Sequence, residues 1–133
     1  TVEKEIKFGA KSDEYADEIA EKFGIKHLYA RHPQSLSAGQ KRRVSIAAVV
    51  ATDSEVLILD EPTVGQDYKG LCEMVEVLNR IHEETHNTMI TVTHDKRCAA
   101  ALCDRAVWIK DGKTYKTGDK QLIDEFFIQI GRN

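Results

Sequence analysis

A chain of 133 residues has room for one domain, or for one piece of a larger one. Charged residues make up 31% and hydrophobic residues 41%, with a net charge of -3 and the signs interleaved; this composition argues against a disordered segment and against a dedicated, basic nucleic-acid binder. The three cysteines, Cys72, Cys98 and Cys103, are odd in number and form no CxxC pair, which argues against a disulfide framework, and no apolar run has the length of a membrane span or the form of a signal peptide. Thr1 opens the sequence without an initiator methionine, as a piece cut from a longer protein would.

Val2, Ile6 and Ala10 fall at helical spacing and predict a short first helix. Ser12, followed by Asp13 and Glu14, is a helix start: a capping oxygen, then acids at the positive end of the dipole. Tyr15, Ile19 and Phe23 share one face of this second helix, and Gly24 is its stop. Residues 25–30 are ambiguous, and Pro33 marks a break.

Ser37 and Gln40 have capping-box spacing, so a third helix is expected from Ser37 to about Ala51, with Val44, Ala47, Ala48 and Ala51 as a small-residue stripe. Gly39 in its first turn is unusual, because glycine costs roughly 1 kcal/mol against alanine in a helix interior. Its presence suggests that something approaches the backbone closely there. Free N–H groups, a serine hydroxyl and no obstructing side chain suit an anion such as phosphate. An ordinary capped helix would show the same serine.

Val56-Leu57-Ile58-Leu59 is an unbroken apolar run, which predicts a parallel-sheet strand buried on both faces. It leads into Asp60 and Glu61, and Pro62 ends it. Two acids at the C-terminal edge of such a strand suit a divalent metal and a water nucleophile; a buried strand ending in a polar turn is the plainer reading. The loop Val64-Gly65-Gln66-Asp67 then precedes a long amphipathic helix from Tyr68 to His86, buried through Leu71, Met74, Val75, Leu78 and Ile81 and ended by Asn87. Residues 89–93 form the next strand and deliver His94 and Asp95; if the two strands are parallel neighbours, His94 lies along the same edge as the acids. A short helix over 96–103 packs Ala99, Leu102 and Cys103 inward. Residues 106–110 and 113–116 form a hairpin turning at Asp111-Gly112, and 121–127 form a terminal helix.

Two motifs mislead. His82-Glu83-Glu84-Thr85-His86 matches the HExxH zinc pattern but sits at the end of its helix with no third ligand downstream. Gly112-Lys113-Thr114 has Val107 where a phosphate-cradling loop needs glycine, so it reads as a turn.

Taken together, Leu36-Ser37-Ala38-Gly39-Gln40 with Lys41-Arg42-Arg43, then residues 57–63, then Gly65-Gln66-Asp67, then Thr93-His94-Asp95 resemble, in order and spacing, an ATP-binding cassette (ABC) ATPase. In family terms these are the signature motif, the Walker B strand, the D-loop and the switch histidine. Ala38 replaces the first glycine of the usual signature. Gly65-Gln66-Asp67 and His32-Pro33-Gln34-Ser35 are most similar to the cobalt, nickel and vitamin importers of the energy-coupling-factor kind.

The resemblance implies an α/β fold: part of a P-loop NTPase-like parallel sheet, with a helical signature subdomain over 1–51 and the C-terminal part of the RecA-like core over 52–133, ending in a hairpin. It implies ATP and Mg²⁺ as ligands. Glu61 would polarise the attacking water, Asp60 would hold Mg²⁺ through a water, and His94 would contact the γ-phosphate. Ser37, Ala38, Gly39 and Gln40 would face ATP on the opposite cassette, and Asp67 would couple the two sites. The implied partners are a second ABC ATPase domain and a transmembrane permease subunit at the cytoplasmic face of the membrane, with no nucleic acid. The sequence holds no Walker A loop or Q-loop, so this chain alone is expected to be inactive, with a strand missing from the sheet and a tendency to self-associate. A degenerate regulatory half-cassette and a DNA-maintenance or repair ATPase are the rival readings; the latter would carry long heptad helices, which the sequence lacks.

Overall fold

The computed structural model describes residues 1–131. Two compact units are present, Thr1–Val92 and a second beginning at Thr93.

The first unit opens with three helices: α1 (Val2–Lys7), α2 (Asp13–Lys22) and α3 (Ala38–Val50), with 3-10 turns at Lys26–Leu28 and Pro33–Ser35 between the last two. Their starts follow from local chemistry. The Ser12 hydroxyl accepts from the Tyr15 N–H at 3.1 Å, satisfying one of the donors a helix start leaves over. Gly24 ends the helical turn at φ 64, a conformation that costs glycine little. Val2, Ile6, Ala16, Ile19, Ala20 and Phe23 form the core between the helices. Tyr29 spans them from the side, its hydroxyl donating to Asp17 at 2.9 Å and to the Ala16 carbonyl at 3.3 Å. Burial, and then the bond to Asp17, push the Tyr29 phenol well above its ordinary pKa. The stripe on α3 is Val44, Ile46, Ala47, Val50 and Ala51, with Ala48 only half-buried.

Strand β1 (Val56–Asp60) follows, then α4 (Tyr68–Thr85) and β2 (Thr88–Val92). β1 and β2 pair in parallel, with Ile58 beside Ile90 and Asp60 beside Val92. Helix α4 buries the expected stripe of Leu71, Met74, Val75, Leu78 and Ile81, each such side chain contributing about 1.5–3 kcal/mol. It ends at His86, which takes the left-handed conformation at φ 53, one residue before the expected Asn87. Lys22 pairs with Glu84 and so ties α2 to the end of α4.

Strand β1 corrects one expectation. It is not buried on both faces: Leu57 and Leu59 are 2% and 4% exposed, whereas Val56 and Ile58 are 51% and 65% exposed. The apolar run hides an alternation, because the first unit covers only one side of its two-stranded sheet.

The second unit contains α5 (Lys96–Leu102), β3 (Arg105–Lys110), β4 (Lys113–Asp119) and α6 (Lys120–Ile130). β3 and β4 form an antiparallel hairpin, turned by Asp111 and Gly112 at φ 50 and φ 72, the positive angles that two-residue hairpins require. Trp108 packs edge-on against Tyr115 and Phe126, both at 5.0 Å between centroids. On α5 the buried residues are Cys98 and Ala99, while Leu102 and Cys103 are half-buried, one position off the expected face. No helix among the described residues is long and apolar enough to cross a membrane.

Register places Val56, Ile58, Ile90 and Val92 on one exposed sheet face. Such a strip favours association. The 133-residue chain alone is expected to self-associate in sedimentation, and Ile58→Lys with Ile90→Lys to shift it toward the monomer. A sharp monomer for the unmodified chain would contradict this.

Candidate functional site

The acid pair sits where β1 runs out. The Glu61 N–H donates to the Val92 carbonyl at 2.8 Å, carrying the β1–β2 ladder one step past the strand. Glu61 then turns at φ 48, a left-handed conformation that costs a non-glycine residue on the order of 1–3 kcal/mol and persists only where its surroundings impose it. Those surroundings are visible. The Val64 N–H donates to the Glu61 carbonyl and the Gln66 N–H to the Thr63 carbonyl, both at 3.2 Å. Pro62 and Thr63 are buried beneath the turn. Asp60 is exposed and Glu61 half-buried. An Arg42 guanidinium N–H reaches the Asp60 carbonyl at 3.5 Å.

The start of α3 is a complete capping box. The Ser37 hydroxyl accepts from the Gln40 N–H at 3.3 Å, and the Gln40 side chain accepts from the Ser37 N–H at 3.1 Å. Ser37 and Ala38 are exposed, while Gly39 and Gln40 are half-buried. The close approach that Gly39 suggests comes from the chain itself. A Cβ there would lie 3.2 Å from both the Gly65 carbonyl and the Gln66 side-chain nitrogen. That nitrogen donates to the Gly39 carbonyl at 2.9 Å.

Asp67 caps α4, its carboxylate accepting from the Gly70 N–H at 2.7 Å. Arg43 on α3 pairs with Glu73 on α4 at 2.7 Å and reaches the Gln66 side-chain oxygen at 3.4 Å. The Arg43 guanidinium holds the Glu73 carboxyl below its usual range. Ser37, Gly39, Gln66 and Asp67 therefore belong to one joined region, which the loop Pro62–Gln66 connects to Asp60 and Glu61. The sequence analysis quotes Arg43 and Gln66 within its motifs but gives them no contact, and it does not single out Gly70 or Glu73. The available signals were a glycine in the first turn of α4 and opposite charges at 43 and 73.

His94 is exposed and lies two residues beyond β2 in the chain, within the second unit. Its neighbour Asp95 caps α5, accepting from the Arg97 N–H at 2.8 Å and the Cys98 N–H at 3.3 Å. The Arg97 side chain adds a 2.9 Å ion pair. These partners, Arg97 first, hold the Asp95 carboxyl below its usual range. The HExxH pattern does not present two imidazoles on one helix face: His86 has left the helix, and His82 Nδ1 lies 3.3 Å from Asn87 Oδ1. No group of three or more His, Cys, Asp or Glu among the described residues is placed to hold a metal ion.

This parallel strand pair, with acids at one tip and a capped helix start tied to the following loop, is consistent with the resemblance to an ATP-binding cassette. A family model for ABC transporters matches residues 1–64. The chain is homologous to ABC transporter ATPases. Its homologues include the energy-coupling factor transporter ATP-binding protein EcfA2 of Enterococcus faecalis, 42% identical over 91% of this chain and 45% of that protein. The EcfA2 of Spiroplasma kunkelii is 37% identical over 97% of this chain and 48% of that protein. Among solved structures, cbiO1 of Clostridium perfringens, part of the cbiONQ ABC transporter complex, aligns with TM-score 0.72 at 34% identity, over 90% of this chain and 47% of that one. The cassette MJ0796, solved as a dimer in a post-hydrolysis state with ADP and Pi, aligns with TM-score 0.73 at 29% identity, over 81% of this chain and 47% of that one. The chain thus spans about half the length of the relatives it matches.

Because the folded Asp95 pKa is depressed, its stabilising contribution is present above the unfolded value of about 3.9 and is lost as pH falls through the lower, folded value. Asp95→Asn is expected to lower the melting temperature at pH 7, with the gap to the unmodified chain closing as pH drops below about 4. A pH-independent gap would show that the carboxylate charge contributes nothing.

Proposed function

We propose that this chain is part of the nucleotide-binding domain of an ABC transporter, in which ATP binding and hydrolysis at a dimer interface drive transport across a membrane. The observation that carries this reading is Glu61, held in a left-handed turn at the tip of β1 by the Val92 carbonyl. A carboxylate carried on that held backbone beside a second acid suits a water to be activated against a phosphate. Residues 1–51, helical throughout their regular elements, are the signature subdomain, and residues 52–133 are the C-terminal part of the RecA-like core; its last two residues lie outside the described ones.

The roles follow from the chemistry at each position. Glu61 accepts the proton of the attacking water. Asp60, an exposed carboxylate, fits Mg²⁺, which takes one or two carboxylates when phosphates and waters complete its shell. When bound, Mg²⁺ neutralises charge developing on the phosphates. Ser37, Ala38, Gly39 and Gln40 face the γ-phosphate of ATP held by the opposite cassette; the exposed α3 start, with a serine O–H still able to donate, supports this. His94 hydrogen-bonds the γ-phosphate of the chain's own site and senses its loss. Asp67 couples the two sites while capping α4. The partners are a second cassette and a transmembrane permease subunit at the cytoplasmic face of the membrane, with no nucleic acid. The EcfA2 and cbiO1 relatives favour an importer of the energy-coupling-factor kind.

In the complete protein, Glu61→Gln is expected to reduce ATP turnover by about a hundredfold or more, the usual worth of a general base, while ATP is still retained. Turnover at the unmodified rate would remove Glu61 from its role. The 133-residue chain alone, whose sequence holds no phosphate-cradling glycine loop, is expected to show background phosphate release only.

A further inference from the structure

The turn that follows His94 carries an acid, and the second unit cancels its charge locally. Asp95 is there for a local reason. Its carboxylate accepts from the Arg97 N–H at 2.8 Å and the Cys98 N–H at 3.3 Å, two of the donors that the start of α5 leaves over. The turn ahead of it is closed by the Asp95 N–H, which donates to the Thr93 hydroxyl at 3.1 Å. Serine or asparagine would cap the helix as well. Aspartate adds a full negative charge one residue from His94, and that charge repels a phosphate arriving there.

Arg97 is the counter-charge. Its Nε donates to Asp95 Oδ1 at 3.3 Å and its Nη2 to Oδ2 at 2.9 Å, the two-pronged geometry of a guanidinium on a carboxylate. The same residue thus caps through its backbone and pairs through its side chain. Lys96, the charged residue between the two, is matched by Asp124 of α6 at 2.8 Å. We infer that Arg97 is a positioning residue acting through Asp95: it holds that carboxylate against the α5 start and masks its charge, so that His94 meets an anionic phosphate without a repelling neighbour. This role rests on the reading above for what His94 meets.

Arg97→Gln tests this in the complete protein, because it removes the charge and keeps a hydrogen-bonding side chain. KM for ATP is expected to rise about fivefold in dilute buffer, with the turnover number within about twofold. At about 0.5 M salt the rise should shrink, because screening shortens the reach of a partly exposed charge. Arg97→Lys keeps the charge and should hold KM within about twofold of the unmodified protein. Adding Asp95→Asn to Arg97→Gln should restore KM to the same range, since asparagine still caps a helix and no charge is left to mask. An unchanged KM in Arg97→Gln, a rise that salt does not reduce, or a double variant as impaired as Arg97→Gln alone overturns the role.

Melting temperatures of the same variants test the pairing without any turnover. Asp95→Asn should cost less in the Arg97→Gln background than in the unmodified protein, because the ion pair is already gone there. An equal cost in both backgrounds overturns the pairing, and the role with it. If the unmodified complete protein turns over no ATP, the functional reading fails, while the melting temperatures still decide whether Arg97 holds Asp95.

Discussion

The hydrogen bond from the Glu61 amide to the Val92 carbonyl is the constraint on which the rest of the site depends. A parallel ladder ordinarily stops with its strands. Here it is carried into the turn, and that one bond holds a non-glycine residue in a left-handed conformation. The strain is sustained because the peptide on each side is also held, by buried Pro62 and Thr63 below and by two short turn bonds above. The backbone so fixed sets where the Glu61 side chain leaves the chain, at the strand tip next to Asp60.

The second organising fact is that α3 and α4 meet through polar groups rather than through a hydrophobic seam alone. Arg43 and Glu73 supply the charge pair, and Gln66 supplies the bridge between Gly39 and Arg43. At partly exposed positions such a pair contributes little stability, at most about 1 kcal/mol. Its value lies in direction. A bidirectional amide and a planar guanidinium tolerate only a narrow range of geometries, so they fix the spacing of α3 from the loop more tightly than aliphatic contact would.

Much of this was legible in the residues. The Ser12 and Ser37 caps, the α4 stripe and the Asp111-Gly112 turn are local physics, in which a few neighbouring residues decide the outcome, and each is found where expected. The acids at the end of β1 were legible in the same way, whereas its parallel pairing with β2 is not local: it was expected from an apolar run buried on both faces, and the pairing is present although that burial is not. What could not be read depends on the surroundings. Val56 and Ile58 have the same chemistry as Leu57 and Leu59, and only the coverage of the sheet makes one pair exposed and the other buried. Gly39 announces that something comes close, but not that Gln66, 27 positions away in sequence, is what comes. His86 stops α4 ahead of Asn87 because either residue tolerates the left-handed conformation, and the sequence pattern does not rank them.

The capping box at the start of α3 has a thermodynamic consequence. Ser37 and Gln40 satisfy each other's backbone groups with no outside partner, so this end of the helix is already in its final shape. A negatively charged group arriving there has no disorder to remove from the protein, and little of the contact energy is spent on freezing the chain. Recognition at such a terminus is then set chiefly by the release of water and by charge, so it should weaken with added salt far more than with changes in the flexibility of the surrounding loops.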